Sequence, residues 1–195
     1  MTNITAIVLA AGLSTRMGKF KQLLPYKNKT VITHIVDEII KSDISEIIVV
    51  TGYNKELIEK ELVDHKINLV YNQYFQQGMH TSVITGVNKL SNKTDAFMLF
   101  LGDQPEINFN LINNLILFFN SSCKGIIIPS YLNKRGHPVL FDKKYIDVAR
   151  NTNPDTGLKQ LLNDYPEDIE YFISQNDSIL FDIDTPKDYN ELLQR

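Results

Sequence analysis

The sequence predicts an α/β fold, a mostly parallel sheet with helices on both faces. Three observations carry that expectation. Apolar runs such as ITAIVL (Ile4 to Leu9), EIIVVT (Glu46 to Thr51) and AFMLFL (Ala96 to Leu101) are continuous rather than alternating, as in strands buried on both faces. Between them lie stretches with apolar residues at helical spacing, and repeated β-α alternation favours parallel pairing. Finally, 195 residues at 43% hydrophobic and 22% charged suffice for a proper core. No linker, repeat or low-complexity segment divides residues 1–195, so one domain is expected.

In chain order, the strand Ile4 to Leu9 leads through a glycine-bearing loop to a helix over Thr30 to Ser42. There Ile32, Ile35, Val36, Ile39 and Ile40 recur at helical spacing. The strand Glu46 to Thr51 precedes a helix over Asn54 to Asp64 and a strand over Ile67 to Tyr71. A helix around His80 to Leu90, the strand Ala96 to Leu101, a helix over Asn110 to Phe119 and the strand Gly125 to Ser130 continue the alternation. Beyond Pro129 the pattern loosens. Short strands are expected at Pro138 to Phe141 and Glu170 to Ile173, and helices at Lys143 to Arg150, Thr156 to Asn163 and Pro186 to Leu193.

Composition excludes disordered, collagen-like and disulfide-stapled classes. Cys123 is the one cysteine, which rules out an internal disulfide or a cysteine-built metal site and points to a reducing, cytoplasmic compartment. No apolar run approaches the roughly 20 residues that span a bilayer. The segment Ile4 to Gly12 has no basic residue before it, so it reads as a buried strand rather than a signal core. A net charge of -3 argues against a nucleic-acid partner, yet the charge is unevenly spread. Arg16, Lys19, Lys21, Lys27 and Lys29 all precede Asp37, the first acidic residue. Beside glycines, such a stretch reads as a local anion site or as a solvated positive face.

The strongest motif is LAAGLSTRMGKFKQLLP, Leu9 to Pro25, at the carboxyl end of a buried strand, where open α/β sheets bind ligands. Gly12 and Gly18 let backbone N–H groups approach an anion, Ser14 and Thr15 add hydroxyl donors, and Arg16 and Lys21 can reach phosphate oxygens. Five residues separate Gly12 from Gly18, and Phe20 follows Lys19, so this is neither a Walker A loop nor a G-x-G-x-x-G fingerprint. The alternative is a βα turn capped by Ser14. Glycines, hydroxyls and spaced cations together favour a triphosphate cradle.

LGDQP, Leu101 to Pro105, puts Asp103 near the same sheet edge, where a carboxylate and substrate phosphates can share Mg2+. An aspartate in an ordinary turn before proline is the competing reading. In DIDTPKDY, Asp182 to Tyr189, alternation sets Asp182 and Asp184 on one side of an extended segment, and Thr185-Pro186 opens a helix. Asp184 is either a second metal ligand or a cap. Asn72 to Gly86 offers a polar loop that can meet a base and ribose, or a helix start with Ser82 satisfying backbone donors. His137, in RGHPVLF, stands alone: the four histidines have no metal-ligand spacing, and no G-x-S-x-G suggests a hydrolase.

Taken together, LAAGLSTRMGKFKQLLP, the spaced Asn72, Gly78, Met79 and Ser82, LGDQP, GHPVLF and DIDTPKDY resemble, in order and spacing, the molybdenum cofactor nucleotidyltransferases, most closely their cytidylyltransferase branch. The resemblance covers nearly the whole chain. It implies a three-layer Rossmann-like nucleotidyltransferase fold with a mostly parallel mixed sheet. It also implies transfer of a nucleoside monophosphate from CTP or another NTP to the terminal phosphate of molybdopterin cofactor, with release of pyrophosphate. A molybdoenzyme would receive the product.

Carried over by residue, Leu9, Ala10, Ala11, Gly12, Ser14, Thr15, Arg16, Gly18 and Lys21 would hold the triphosphate. Asp103 would hold Mg2+, with Asp184 at the late metal- or phosphate-side position. Asn72, Gly78 and Ser82 would lie by the base, and His137 toward the pterin. Arg16, Lys21 and Asp103 would carry catalysis. Ala10-Ala11 resembles the CTP-using branch, since a side chain at position 11 favours a smaller base than the Ala-Gly-Gly of the GTP-using branch. Two departures concern the acceptor: Gln104, and Pro154-Asp155-Thr156-Gly157-Leu158-Lys159 where the family often has an acidic-Gly-Ala-Arg stretch. Another phosphorylated acceptor, such as a sugar or alcohol phosphate, remains the enzymatic alternative, and a cofactor carrier the non-enzymatic one.

Overall fold

The computed structural model describes residues 2–153 and 156–195. Strand β1 (Ile4–Ala10) is followed by a 3-10 turn (Lys21–Leu23), a hairpin of β2 (Pro25–Tyr26) and β3 (Lys29–Thr30), and α1 (Val31–Ile40). Then come β4 (Glu46–Thr51), α2 (Lys55–Glu61), β5 (Asn68–Tyr71), α3 (Met79–Val87), β6 (Ala96–Leu101) and α4 (Phe109–Ser121). The rest comprises β7 (Ile126–Tyr131), β8 (Lys134–Arg135), β9 (Val139–Asp142), α5 (Ile146–Arg150), α6 (Leu158–Asp164), β10 (Ile169–Ile173) and α7 (Pro186–Leu192). Each strand and helix expected from the sequence is present, β4 and β6 at their expected bounds and the others with shifted ends. Pro154 and Asp155, of the late departure, lie outside the described residues.

The sheet order is β10-β7-β9-β6-β1-β4-β5, with β8 paired to the far end of β7. β1 runs parallel to β4 and β6, β4 to β5, and β10 to β7, whereas β9 is antiparallel to both β6 and β7. The mixed, mostly parallel sheet follows from the sequence: the βα crossovers return the chain to the same edge, whereas the short 131–139 connection reverses it into β9, and β10 starts from the edge at which β9 ends.

Two apolar layers sandwich it. Ile4, Ala6 and Val8 of β1 pack with Ile32, Ile35, Val36 and Ile39 of α1, Ile112 and Leu115 of α4, and Leu192 of α7. Ile7 and Leu9 face the other way, toward Val83 and Val87 of α3, Ala149 of α5 and Leu161 of α6. β1 is buried along its full length, which is why its sequence never alternates. Among the described residues, no helix is long and apolar enough to cross a membrane.

Candidate active site

The carboxyl ends of β1 and β6 lie side by side, Leu9 opposite Leu101, so the loops that leave them share one rim of the sheet. The β1 loop turns at Ser14, where Met17 N–H donates to the Ser14 carbonyl at 3.1 Å, and at Gly18 with φ of 67°. Ser14 then braces the next turn. Its Oγ accepts from Lys21 N–H and donates to Gln22 Oε1, both at 3.3 Å, and Gln22 is buried. This bracing fixes the Lys21 backbone.

The Lys21 side chain reaches the Asp103 carboxylate, and its Nζ donates to Asp184 Oδ1 at 3.1 Å. Arg16 Nη2 holds Asp184 Oδ2 at 2.8 Å. The late acidic segment is tied down by the backbone: Ile183 N–H donates to the Asp103 carbonyl at 3.0 Å, and the Ile183 side chain is fully buried. With Ile183 turned into the core, Asp182 and Asp184 both turn to the cleft. The competing cap role falls to Thr185, whose Oγ accepts from Asp188 N–H while Asp188 Oδ2 accepts from Thr185 N–H. Asp184 is thus left to face the site.

Carboxylate oxygens of Asp103, Asp182 and Asp184 lie within 4.8 Å of one another. Burial, then the nearby Asp103 and Asp184 charges, push the Asp182 carboxyl above its ordinary pKa. Burial pulls the Lys21 ammonium down, but Asp103 and Asp184 outweigh it and hold the pKa above the ordinary lysine value. Asp103 Oδ1 is buried with no hydrogen-bond partner among the described residues. An orphaned carboxylate oxygen beside two further carboxylates fits a hard divalent cation, which takes such oxygen ligands. The cluster can hold a metal.

A cleft of about 450 Å³ opens over this cluster, bringing together Leu9, Ala11, Gly12, Arg16, Lys21, Gly78, Ser82, Asp103 and Asp184 of the expected residues. Leu13, Gln22, Phe75, Gln76, Met79, Leu101 and Asp182 complete its lining. A Cβ at Gly12 would meet nothing within 4 Å, so the backbone there is open to a ligand. Ala10 is fully buried under the loop, and Thr15 and Gly18 are exposed outside the lining.

Asn72 supports the cleft from beneath. Its Nδ2 donates to Thr81 Oγ1 at 2.8 Å and Ser82 Oγ at 2.9 Å, its Oδ1 accepts from Tyr74 N–H at 2.9 Å, and the residue is 1% exposed. It clamps the start of α3 to the loop before it. Ser82 receives this bond and makes no cap. His137, before the cis His137-Pro138 bond, also lies outside the lining. Its N–H donates to the Ile179 carbonyl at 3.0 Å, and burial, opposed by Asp103, lowers its imidazole pKa. Asp182, not among the metal ligands expected from the sequence, joins Asp103 and Asp184 in the carboxylate cluster, and its alternation with Asp184 is the sequence signal for that.

Residues 6–169 match the family of the MobA-like NTP transferase domain. The molybdenum cofactor cytidylyltransferase of Escherichia coli (strain K12) is 34% identical over 97% of this chain and 95% of that protein. The nicotine blue oxidoreductase of Paenarthrobacter nicotinovorans is 23% identical over 97% and 96%. The crystal structure of Rv0371c from Mycobacterium tuberculosis H37Rv superposes with a TM-score of 0.88 at 25% identity, covering 100% of this chain and 99% of that one. With a family match over most of its length, a near full-length relative and a shared fold, this chain belongs to the MobA-like NTP transferases and is a nucleotidyltransferase.

Proposed function

We propose that this enzyme transfers CMP from CTP to the terminal phosphate of molybdopterin cofactor, releasing pyrophosphate, with Mg2+ held by Asp103, Asp182 and Asp184. The observation that carries the reading is the meeting, in one cleft, of Lys21 and Arg16 from the β1 loop with Asp103 from the end of β6 and Asp184 from the segment before α7. Cations and carboxylates interleaved at that point are what a metal-bound triphosphate requires. The 34% identical cytidylyltransferase supports the base and the acceptor.

An attacking phosphate monoester is ionised near neutral pH, so the reaction needs no general base. The protein must align it with the α-phosphorus and offset the charge that builds on the departing pyrophosphate. The open backbone at Gly12 lies against the phosphates, and Arg16 and Lys21 take the leaving pyrophosphate. Mg2+, when bound, supplies Lewis-acid polarisation of the α-phosphate. Gly78 and Ser82 border the base, with Ser82 oriented by Asn72, and the Ala11 methyl narrows the slot in favour of a pyrimidine. His137 stands outside the cleft lining, so its part is to hold the Ile179 segment through its N–H rather than to touch the acceptor. On this reading residues 1–195 act as one cytoplasmic domain that hands its product to a molybdoenzyme.

The test is purified protein with Mg2+, each of the four NTPs in turn, and molybdopterin cofactor, followed by pyrophosphate release and product mass. Selective CTP consumption with a cytidine dinucleotide product is expected. GTP use overturns the base assignment, turnover with a sugar or alcohol phosphate instead overturns the acceptor, and cofactor binding without NTP consumption overturns the reaction.

A further inference from the structure

Of the four carboxylate oxygens of Asp103 and Asp184, three are already held by the protein's own cations. Lys21 Nζ takes Asp103 Oδ2 and Asp184 Oδ1, and Arg16 takes Asp184 Oδ2. Asp103 Oδ1 alone lacks a partner among the described residues. The Lys21 side chain is 12% exposed, so its charge is poorly screened by solvent. A divalent ion that seeks the same oxygens therefore meets an ammonium in its place.

We infer that Lys21 is the built-in counter-ion of the metal cluster. It leaves Asp103 and Asp184 when the metal enters and passes to the nucleotide's phosphates, so metal and nucleotide bind together rather than metal first. This rests on the metal-nucleotide reading proposed above. The geometry allows the exchange. The Lys21 backbone is fixed by Ser14 Oγ and the buried Gln22, so only a flexible four-carbon side chain has to swing within the cleft. Arg16, 72% exposed, follows as a looser second partner.

The experiment measures protein-bound Mn2+ by water-proton relaxation, first without nucleotide, in wild type, Lys21→Met, Arg16→Gln and Lys19→Met. Lys21→Met should bind Mn2+ about tenfold tighter or more, the size of a modest close charge-pair coupling. Arg16→Gln, at an exposed side chain that no folding core needs, should tighten it by roughly twofold to fivefold. Lys19→Met removes the same charge from an exposed position and should stay within about twofold of wild type, which separates direct occupation from a general field. Unchanged or weaker Mn2+ binding in a folded Lys21→Met protein overturns the inference. Should that variant fail to fold, an unchanged affinity in Arg16→Gln does so. In a second titration CTP should raise the wild-type Mn2+ affinity, and raise that of Lys21→Met by a smaller factor. If CTP acts but Lys21→Met matches wild type, this inference falls alone. If no NTP changes Mn2+ binding, the nucleotidyl-transfer reading falls and takes this inference with it.

Discussion

Asn72→Ala separates a scaffold residue from a ligand. The Asn72 side chain makes three hydrogen bonds, to Thr81, Ser82 and Tyr74, in a residue 1% exposed. At about 1 kcal/mol net for each neutral bond, their loss costs about 3 kcal/mol, a large part of the 5–15 kcal/mol typical of a domain. For a chain of 195 residues that is a fall in Tm of roughly 6–12 °C. Urea unfolding followed by circular dichroism, without nucleotide, measures it directly, and an unchanged m-value would show that the folded state alone has been weakened. If Asn72 instead met the base itself, stability would stay near wild type and only nucleotide affinity would fall. A loss below about 1 kcal/mol refutes the clamp.

Lys21→Ala and Asp103→Ala should each lower kcat/KM by on the order of 10²–10³, as removal of one preorganised electrostatic contact does; near-normal pyrophosphate release in either would remove that residue from the mechanism. Among the described residues the buried Glu106 Oε2 has no hydrogen-bond partner, and burial, opposed by Arg195, lifts its carboxyl above the ordinary glutamate pKa. A raised folded-state value means that stability present below about pH 4 is lost as the pH rises through it. Glu106→Gln should therefore gain on wild type at neutral pH and not below about pH 4 in urea titrations; equal differences at both would contradict the assignment. A Cβ on Gly136 would collide with the Ile179 carbonyl and lie 2.8 Å from the Ile179 Cβ. Gly136→Ala should cost about 1–3 kcal/mol by overpacking and weaken Mn2+ binding, because the displaced backbone leads directly to Asp182; wild-type stability in a thermal melt would show that the segment yields freely.

The sheet and its helices were legible because burial on both faces writes continuous apolar runs, as in β1, and helical faces such as α1 write their own spacing. What escaped was too short to carry a period. β2 and β3 are two residues each, joined at Lys27 and Asn28 with φ of 46° and 63°, and β7 turns into β8 through Leu132 and Asn133 at 49° and 62°. Both are two-residue turns of the kind favoured by Asn-Gly, but neither carries the glycine that would announce it. In the site, Lys21, Asp103 and Asp184 were readable because each follows a strand end or motif whose position on the sheet is fixed by topology. Asn72 was not readable as a clamp. A polar residue beside a ligand and one beneath it look alike until its partners Thr81, Ser82 and Tyr74 are placed.

The antiparallel β9 explains how so distant a segment reaches the cluster. By inserting between β6 and β7 it brings Gly136 and His137 to the rim beside β6. There Gly136 takes the close approach of Ile179, and the His137 N–H binds its carbonyl. The chain beyond Ile179 is thereby aimed across the end of β6, where Ile183 N–H meets the Asp103 carbonyl and the flanking aspartates face outward. Gly136-His137-Pro138 thus acts on the cluster through Ile179, without entering the cleft itself. A segment with no strand of its own could not hold two like charges beside a third by packing alone. It is kept there by two backbone bonds, by the buried Ile179 and Ile183 on either side of Asp182, and by the Lys21 and Arg16 cations that offset the repulsion.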